Sequence, residues 1–344
     1  MVRVTYELEP ASWAEELARV EAGEVVSVEG DRAVLEFPQR NWGGDVTLLV
    51  SSVLAGEWAD SAALERCRLV GLEWPDGLPG PAFEAREEVL VGAIVKPPLG
   101  LEPREVAETA AALARGGVDL IKDDELLGDL AWCPLEERVR AVVAAIPERV
   151  RYAPNVTGPV DGLLGRAERA VELGASALMV NAFAQGLDAL RALREAELGV
   201  PLLAHRAGSA FWIRGPLGVA GTVVVELTRL CGADYVLVGS FSGRVFEDED
   251  QVRAQVAACH RPLGGARRAT AVLGGGVGPE NAAEHVRRAG ADSGLLVLLG
   301  SRAYAHPGGV EEGVRAAVEA VRTVGPGAAI RSRRRSSGAT APSA

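Results

Sequence analysis

The chain has 344 residues, 48% of them apolar, and a net charge of −11; that allows one large domain beside a small one and argues against disorder. Arg331-Ser332-Arg333-Arg334-Arg335 contributes +4 to this balance, so the rest of the chain carries −15, a poor surface for nucleic acid. No apolar run reaches the length of a membrane span, and Met1-Val2-Arg3-Val4-Thr5-Tyr6-Glu7 does not read as a signal peptide. Cys67, Cys133, Cys231 and Cys259 lie too far apart for a disulfide framework or a zinc site, which fits a reducing cytoplasm.

Residues 1–86 read as a small α+β domain of ferredoxin-like type. Val2, Val4, Tyr6 and Leu8 alternate with polar residues as on a half-buried strand. Ser12 and Glu15 have capping-box spacing and open a helix through about Val20. Strand-like runs follow at Glu24 to Val28, Ala33 to Phe37 and Val46 to Val50, and the turn-rich stretch Trp74 to Pro81 marks the boundary. From residue 87 to 325 a βα unit recurs eight times. Its strands are Val89–Lys96, Val118–Asp124, Arg151–Thr157, Ala177–Phe183, Pro201–Arg206, Tyr235–Ser240, Thr270–Gly274 and Gly294–Leu299. Amphipathic stripes separate them, such as Leu135, Val139, Val142, Val143 and Ile146, or Val310, Val314, Ala317, Val318 and Val321. Eight alternations predict a (β/α)8 barrel, with a doubly wound open sheet as the rival. Residues 326–344 form an Arg/Ser/Ala tail expected to be disordered.

Only two lysines occur, Lys96 and Lys122, against 34 arginines. Both fall where an apolar strand ends, the side of a barrel that carries active sites. An amine can lose its proton, attack a carbonyl or take up CO2, none of which a guanidinium does. Alternation places Leu120, Lys122 and Asp124 on one face, with Glu125 just beyond. This cluster reads either as a buried ion-pair group or as a hard-cation site for Mg2+, with Lys122 supplying oxygen as a carbamate and Lys96 helping to keep the amine neutral. Gly274 to Gly276 and Gly300, followed by Ser301, are placed to turn backbone N–H groups toward a phosphate, with Pro279 opening a short helix; tight turns without a ligand are the alternative. His205 faces the barrel mouth or fills a structural role. Arg206 clamps an anion or pairs with a carboxylate. His260 and His285 read as solvated surface.

The ordered set Gly92-Ala93-Ile94-Val95-Lys96-Pro97-Pro98-Leu99-Gly100, Gly117 to Glu125, Asn155-Val156-Thr157, His205-Arg206-Ala207, Arg229 to Asp234, Gly274-Gly275-Gly276 and Ala305 to Gly309 resembles the large-subunit family of ribulose-bisphosphate carboxylase (RuBisCO). The resemblance implies a carbamylated Lys122 that completes a Mg2+ site with Asp124 and Glu125. It implies Lys96 near the reacting carbonyl, His205 on the catalytic rim, Arg206 on a phosphate, and Gly275, Gly276, Gly300 and Ser301 around the other phosphate. It further implies a homodimer. The departures matter as much. Pro98 stands at the family motif's second lysine, Arg244 at the loop lysine that steers CO2, Leu237 at a phosphate histidine and Gly274 at a serine. The asparagine expected from the first domain is not evident in Ser51-Ser52-Val53-Leu54-Ala55. The pattern resembles the RuBisCO-like proteins of form IV rather than carbon-fixing enzymes. It implies a Mg2+-dependent enolase or isomerase of methylthioribose-salvage type acting on a phosphorylated keto-sugar derivative. A decarboxylase of a 3-oxo sugar acid and a non-catalytic relative are the alternatives within the family. A Schiff-base aldolase and a nucleic-acid role for the arginine tail are the rivals outside it.

Overall fold

The computed structural model describes residues 1–54, 56–74 and 77–324; the arginine-rich tail at 326–344 lies outside them. The period-two pattern of the first segment becomes β1 (Val2–Glu9), whose Val2, Val4, Tyr6 and Leu8 are buried. It pairs antiparallel with β3 (Arg32–Phe37) and β4 (Arg66–Glu73), and β3 pairs with β2 (Glu24–Glu29). The order β4-β1-β3-β2 is that of a ferredoxin-like sheet. The helix Trp13–Val20 packs Ala14, Leu17 and Ala18 against it. Two local readings change. Ser12 makes no side-chain cap to this helix. Val46–Leu49 is helical, not extended, because Asp45 accepts the N–H groups of Thr47 at 2.7 Å and Leu48 at 3.1 Å. That cap outweighs the β-preference of a short apolar run.

The second region carries β5 (Leu90–Ile94), β6 (Leu120–Lys122), β7 (Arg151–Ala153), β8 (Leu178–Asn181), β9 (Leu202–His205), β10 (Leu217–Val219), β11 (Tyr235–Leu237), β12 (Thr270–Gly274) and β13 (Leu295–Leu299). All but β10 form one parallel sheet in the order β7-β6-β5-β13-β12-β11-β9-β8. The ring closes between β7 and β8, where Asn155 bridges Met179 and the N–H of Val156 reaches Met179 O at 2.9 Å. Each expected strand is present, and most are shorter than read. Polar residues such as Lys96, Asp124 and Glu125 stand past the ladder, in the mouth. Leu90, Leu120, Met179, Leu203, Leu237, Val272, Leu296 and Leu298 fill the barrel. Outside, the stripes Leu135/Val139/Val142 and Val314/Ala317/Val318/Val321 are buried against it, each leucine or valine among them contributing about 1.5–3 kcal/mol.

β10 belongs to the small sheet. It pairs in parallel with β4, Leu217 opposite Cys67 and Val219 opposite Leu69. The segment after barrel strand β9 is thus sewn into the first region. Gly218 at this seam has φ +146°, and a Cβ there would lie 2.2 Å from Trp212 O. Gly218→Ala is therefore expected to lower stability by about 1–3 kcal/mol, read as a lower denaturant midpoint. An unchanged midpoint would contradict the tightness of the seam.

Candidate active site

β6 delivers Lys122 to the mouth with its side chain fully buried. Nζ donates to Asp123 O at 2.6 Å. Burial is the largest influence on this amine and pulls it down to about 8; the Lys96 ammonium acts the same way, against Glu125, Asp124 and Asp123. Asp124 is 1% exposed, and its Oδ2 is paired with Lys96 Nζ. Its Oδ1 accepts the N–H of Leu126 at 3.1 Å. Glu125 begins the turn beyond the strand. Its carbonyl accepts Asn155 Nδ2 at 3.0 Å and Asn181 Nδ2 at 2.8 Å, so side chains from the ends of β7 and β8 hold the turn in place. Lys96 is fixed in turn by Tyr304, whose hydroxyl accepts the Lys96 N–H at 3.0 Å and donates to Ile94 O at 2.8 Å.

His205 ends β9 opposite Asn181, with Nε2 at 3.6 Å from Glu125 Oε2. Burial first, then Lys122, Arg206 and Lys96, hold its pKa well below the usual histidine range, so the ring is neutral. Nδ1 accepts the N–H of Ala207 at 3.2 Å, which puts the ring proton on Nε2, facing Glu125. Lys96, Lys122, Asp124, Glu125 and His205 therefore converge from three strands.

A second layer was invisible as a motif. Asp123 is fully buried and turns away from the mouth. Its carboxylate accepts Arg138 Nε at 3.0 Å, Tyr152 OH at 2.7 Å and the N–H of Asn155 at 3.0 Å. Arg138, also fully buried, donates to the carbonyls of Cys133 at 2.7 Å, Gly128 at 3.0 Å and Leu127 at 3.3 Å. One guanidinium thus ties the loop after β6 to the strand. The signal in the sequence was an arginine three residues after Leu135, inside an apolar stripe. Arg138→Met leaves Asp123 buried and unpaired, and is expected to cost about 3–5 kcal/mol. Urea unfolding checks this, and adding Asp123→Asn should return part of the loss.

The strand-seven and strand-eight loops lie on the other side of the mouth. Gly275 and Gly276 have φ of +110° and +74°. Ser240 and Ser242 each donate Oγ to Gly275 O at 2.6 Å. Arg244 lies across Gly276, where a Cβ would meet its Cδ at 2.6 Å; an open glycine is needed for this approach. Gly300 donates its N–H to Val277 O at 3.2 Å and so does not offer it to an anion. A Cβ on Gly300 would meet open space, and exposed Ser301 begins the short helix Ser301–Tyr304. Arg206 pairs with buried Glu247. Leu237 fills the space above Gly274, with its Cδ1 at 2.9 Å from where a Cβ would stand. Pro279 lies in a turn ahead of the helix Ala282–Arg288. His285 is buried, not solvated: Nε2 accepts the N–H of Phe241 at 3.2 Å and Nδ1 bonds Asn281 O at 2.9 Å. His260 is half-buried on Gly294 O at 3.0 Å.

Among the described residues, no group of three or more His, Cys, Asp or Glu side chains could hold a metal ion. Asp124 and Glu125 provide two carboxylates, and a third hard ligand requires CO2 on Lys122. The donor set fits Mg2+ on that condition. A cation, the Lys96 ammonium, already occupies an Asp124 oxygen.

Residues 80–339 match the family described as ribulose bisphosphate carboxylase large chain, catalytic domain. A ribulose bisphosphate carboxylase-like protein of Archaeoglobus fulgidus is 33% identical over 83% of this chain and 70% of its own. A 2,3-diketo-5-methylthiopentyl-1-phosphate enolase of Geobacillus kaustophilus is 34% identical over 84% of this chain and 76% of its own. Among solved structures, a rubisco-like protein from Alicyclobacillus acidocaldarius superposes with a TM-score of 0.81 at 28% identity, covering 97% of both chains.

Proposed function

The chain belongs to the ribulose bisphosphate carboxylase large-chain family, among its RuBisCO-like proteins, and we propose that it is an enolase of a phosphorylated diketo or keto-sugar substrate. The observation that carries this reading is the fully buried amine of Lys122, lowered to about 8 and flanked by Asp124 and Glu125 at the barrel mouth. The named enolase relatives support it.

In this scheme Lys122 as its carbamate, Asp124 and Glu125 hold Mg2+. Mg2+ bound there would polarise the substrate carbonyl and offset the charge that enolisation places on its oxygen. Lys96 would take the α-proton only after leaving Asp124 and giving up its own proton; the C–H pair then becomes the C=C bond and the carbonyl π pair moves to oxygen. His205 offers an Nε2–H donor toward the same space rather than a basic nitrogen. Asn155 and Asn181 keep Glu125 in place. Gly275 and Gly276 take the phosphate with Arg244, whose guanidinium has no partner among the described residues, and Gly300 and Ser301 border that subsite. The division at residues 1–86 and 87–325, a cytoplasmic location and a homodimer belong to the same proposal.

Calorimetry with Mg2+ tests the metal scheme. Bicarbonate should strengthen Mg2+ binding by the native chain and do nothing for Lys122→Ala, which also loses turnover; Mg2+-dependent turnover surviving in Lys122→Ala would overturn the scheme. The pH dependence has a fixed sign. The neutral amine reacts with CO2, and its fraction rises as pH climbs through about 8. At constant dissolved CO2, activation should therefore climb toward that value from below and level off above it. Activation that falls over this range would contradict the assignment.

A further inference from the structure

The loop after β11 is gripped from the outer layer at one residue. Phe241 stands between Ser240 and Ser242, whose hydroxyls bind Gly275 O of the β12 loop at 2.6 Å. Phe241 donates its N–H to His285 Nε2 at 3.2 Å, and its carbonyl accepts Arg288 Nη1 at 3.2 Å. The Arg288 guanidinium also lies over the Phe241 ring, 5.3 Å from its centroid. Both partners belong to the helix Ala282–Arg288. Asn281, just ahead of that helix, donates Nδ2 to Gly276 O at 3.1 Å and so holds the β12 loop from the same frame. Arg244 follows on the β11 loop, its N–H on Ser242 Oγ at 3.3 Å.

His285 can serve both of its bonds in one state only. Asn281 O is an acceptor, so Nδ1 carries the proton, and Nε2 keeps the lone pair that takes the Phe241 N–H. A proton on Nε2 would set one donor against another. Burial is the largest influence on the ring and holds its pKa below the usual histidine value; Arg302 acts the same way, against the Asn281 carbonyl and Glu284. The Arg302 and Arg288 charges are paired with Glu280 and Glu249. β13 and the buried face of the helix Gly309–Val324, which also pack on this helix, are apolar.

We propose that His285 is a positioning residue. Its neutral form fixes the Ser240–Arg244 loop against the β12 loop and so sets where Arg244 stands over Gly276. This deepens the enolase reading, and rests on it for the contact of Arg244 with substrate. The latch is sensitive to acid. Opened, the ring gains a proton in the ordinary histidine range; closed, it is held neutral. Closure is therefore whole above about pH 6.5 and weakens as pH falls below that value.

Amide hydrogen exchange of the full chain tests it by mass spectrometry. Peptides covering 239–246 report the loop, and 270–274 in β12 serves as internal reference, each corrected for the intrinsic rate at that pH. In the native chain, protection of 239–246 should fall about tenfold from about pH 7.5 to about 5.5 while the reference holds. His285→Gln keeps an acceptor that does not titrate, and its protection should stay flat over the same range. His285→Leu leaves the Phe241 N–H without an acceptor and should show about tenfold less protection at the upper pH. Equal loop protection in His285→Leu and the native chain would overturn the proposal. So would native protection that does not change with pH, or that falls equally in the reference, a result that stands even if neither variant folds. Absence of enolisation would sink the functional reading and leave this exchange comparison intact.

Discussion

A single amine with no contact to water organises this molecule. Lys122 is surrounded by three carboxylate residues, a histidine and a second lysine. Removing an ammonium from water is costly unless it is closely paired. Here the nearest bonded acceptor is a neutral carbonyl, Asp123 O. The Asp123 carboxylate is engaged by Arg138 and Tyr152 behind the strand, and the Asp124 Oδ2 by Lys96. The charges that could have fixed Lys122 as an ammonium are largely spent on other partners. Burial therefore wins and pulls the amine down to about 8, which favours its reactive neutral form.

The barrel makes that arrangement possible by collecting strand ends. β5 brings Lys96, β6 brings Lys122 and the Asp124-Glu125 turn, and β9 brings His205. Asn155 and Asn181 stand at the ends of β7 and β8 and donate through their amide nitrogens. They bind the Glu125 carbonyl and make a turn residue as well placed as a strand residue. Arg138 does the same for the loop that follows. The β12 loop meets Arg244, whose guanidinium has no partner among the described residues, while behind β9 and β11 Arg206 is cancelled by Glu247.

Much of this could be read from the chain. Eight apolar runs with polar ends gave the strands, because parallel barrel strands are buried on both faces and stop where chemistry begins. Two lysines among many arginines marked the amines. What escaped depends on distant pairing. Glu247 lies 41 residues after Arg206, and only the folded loop after β11 brings them together. Arg138 sits at a stripe position where an arginine ordinarily points to solvent. His285 was read as solvated because its helix face is polar in sequence, yet Phe241 covers it. The short helix Val46–Leu49 was lost to a cap from Asp45 that an apolar run conceals.

The most direct measurement is carbon-13 NMR of the protein in labelled bicarbonate, with and without a divalent ion. The account predicts one carbamate resonance, absent from Lys122→Ala, sharpened in population by Mg2+ and broadened by Mn2+. Tight Mg2+ binding with no carbamate signal at all would contradict it.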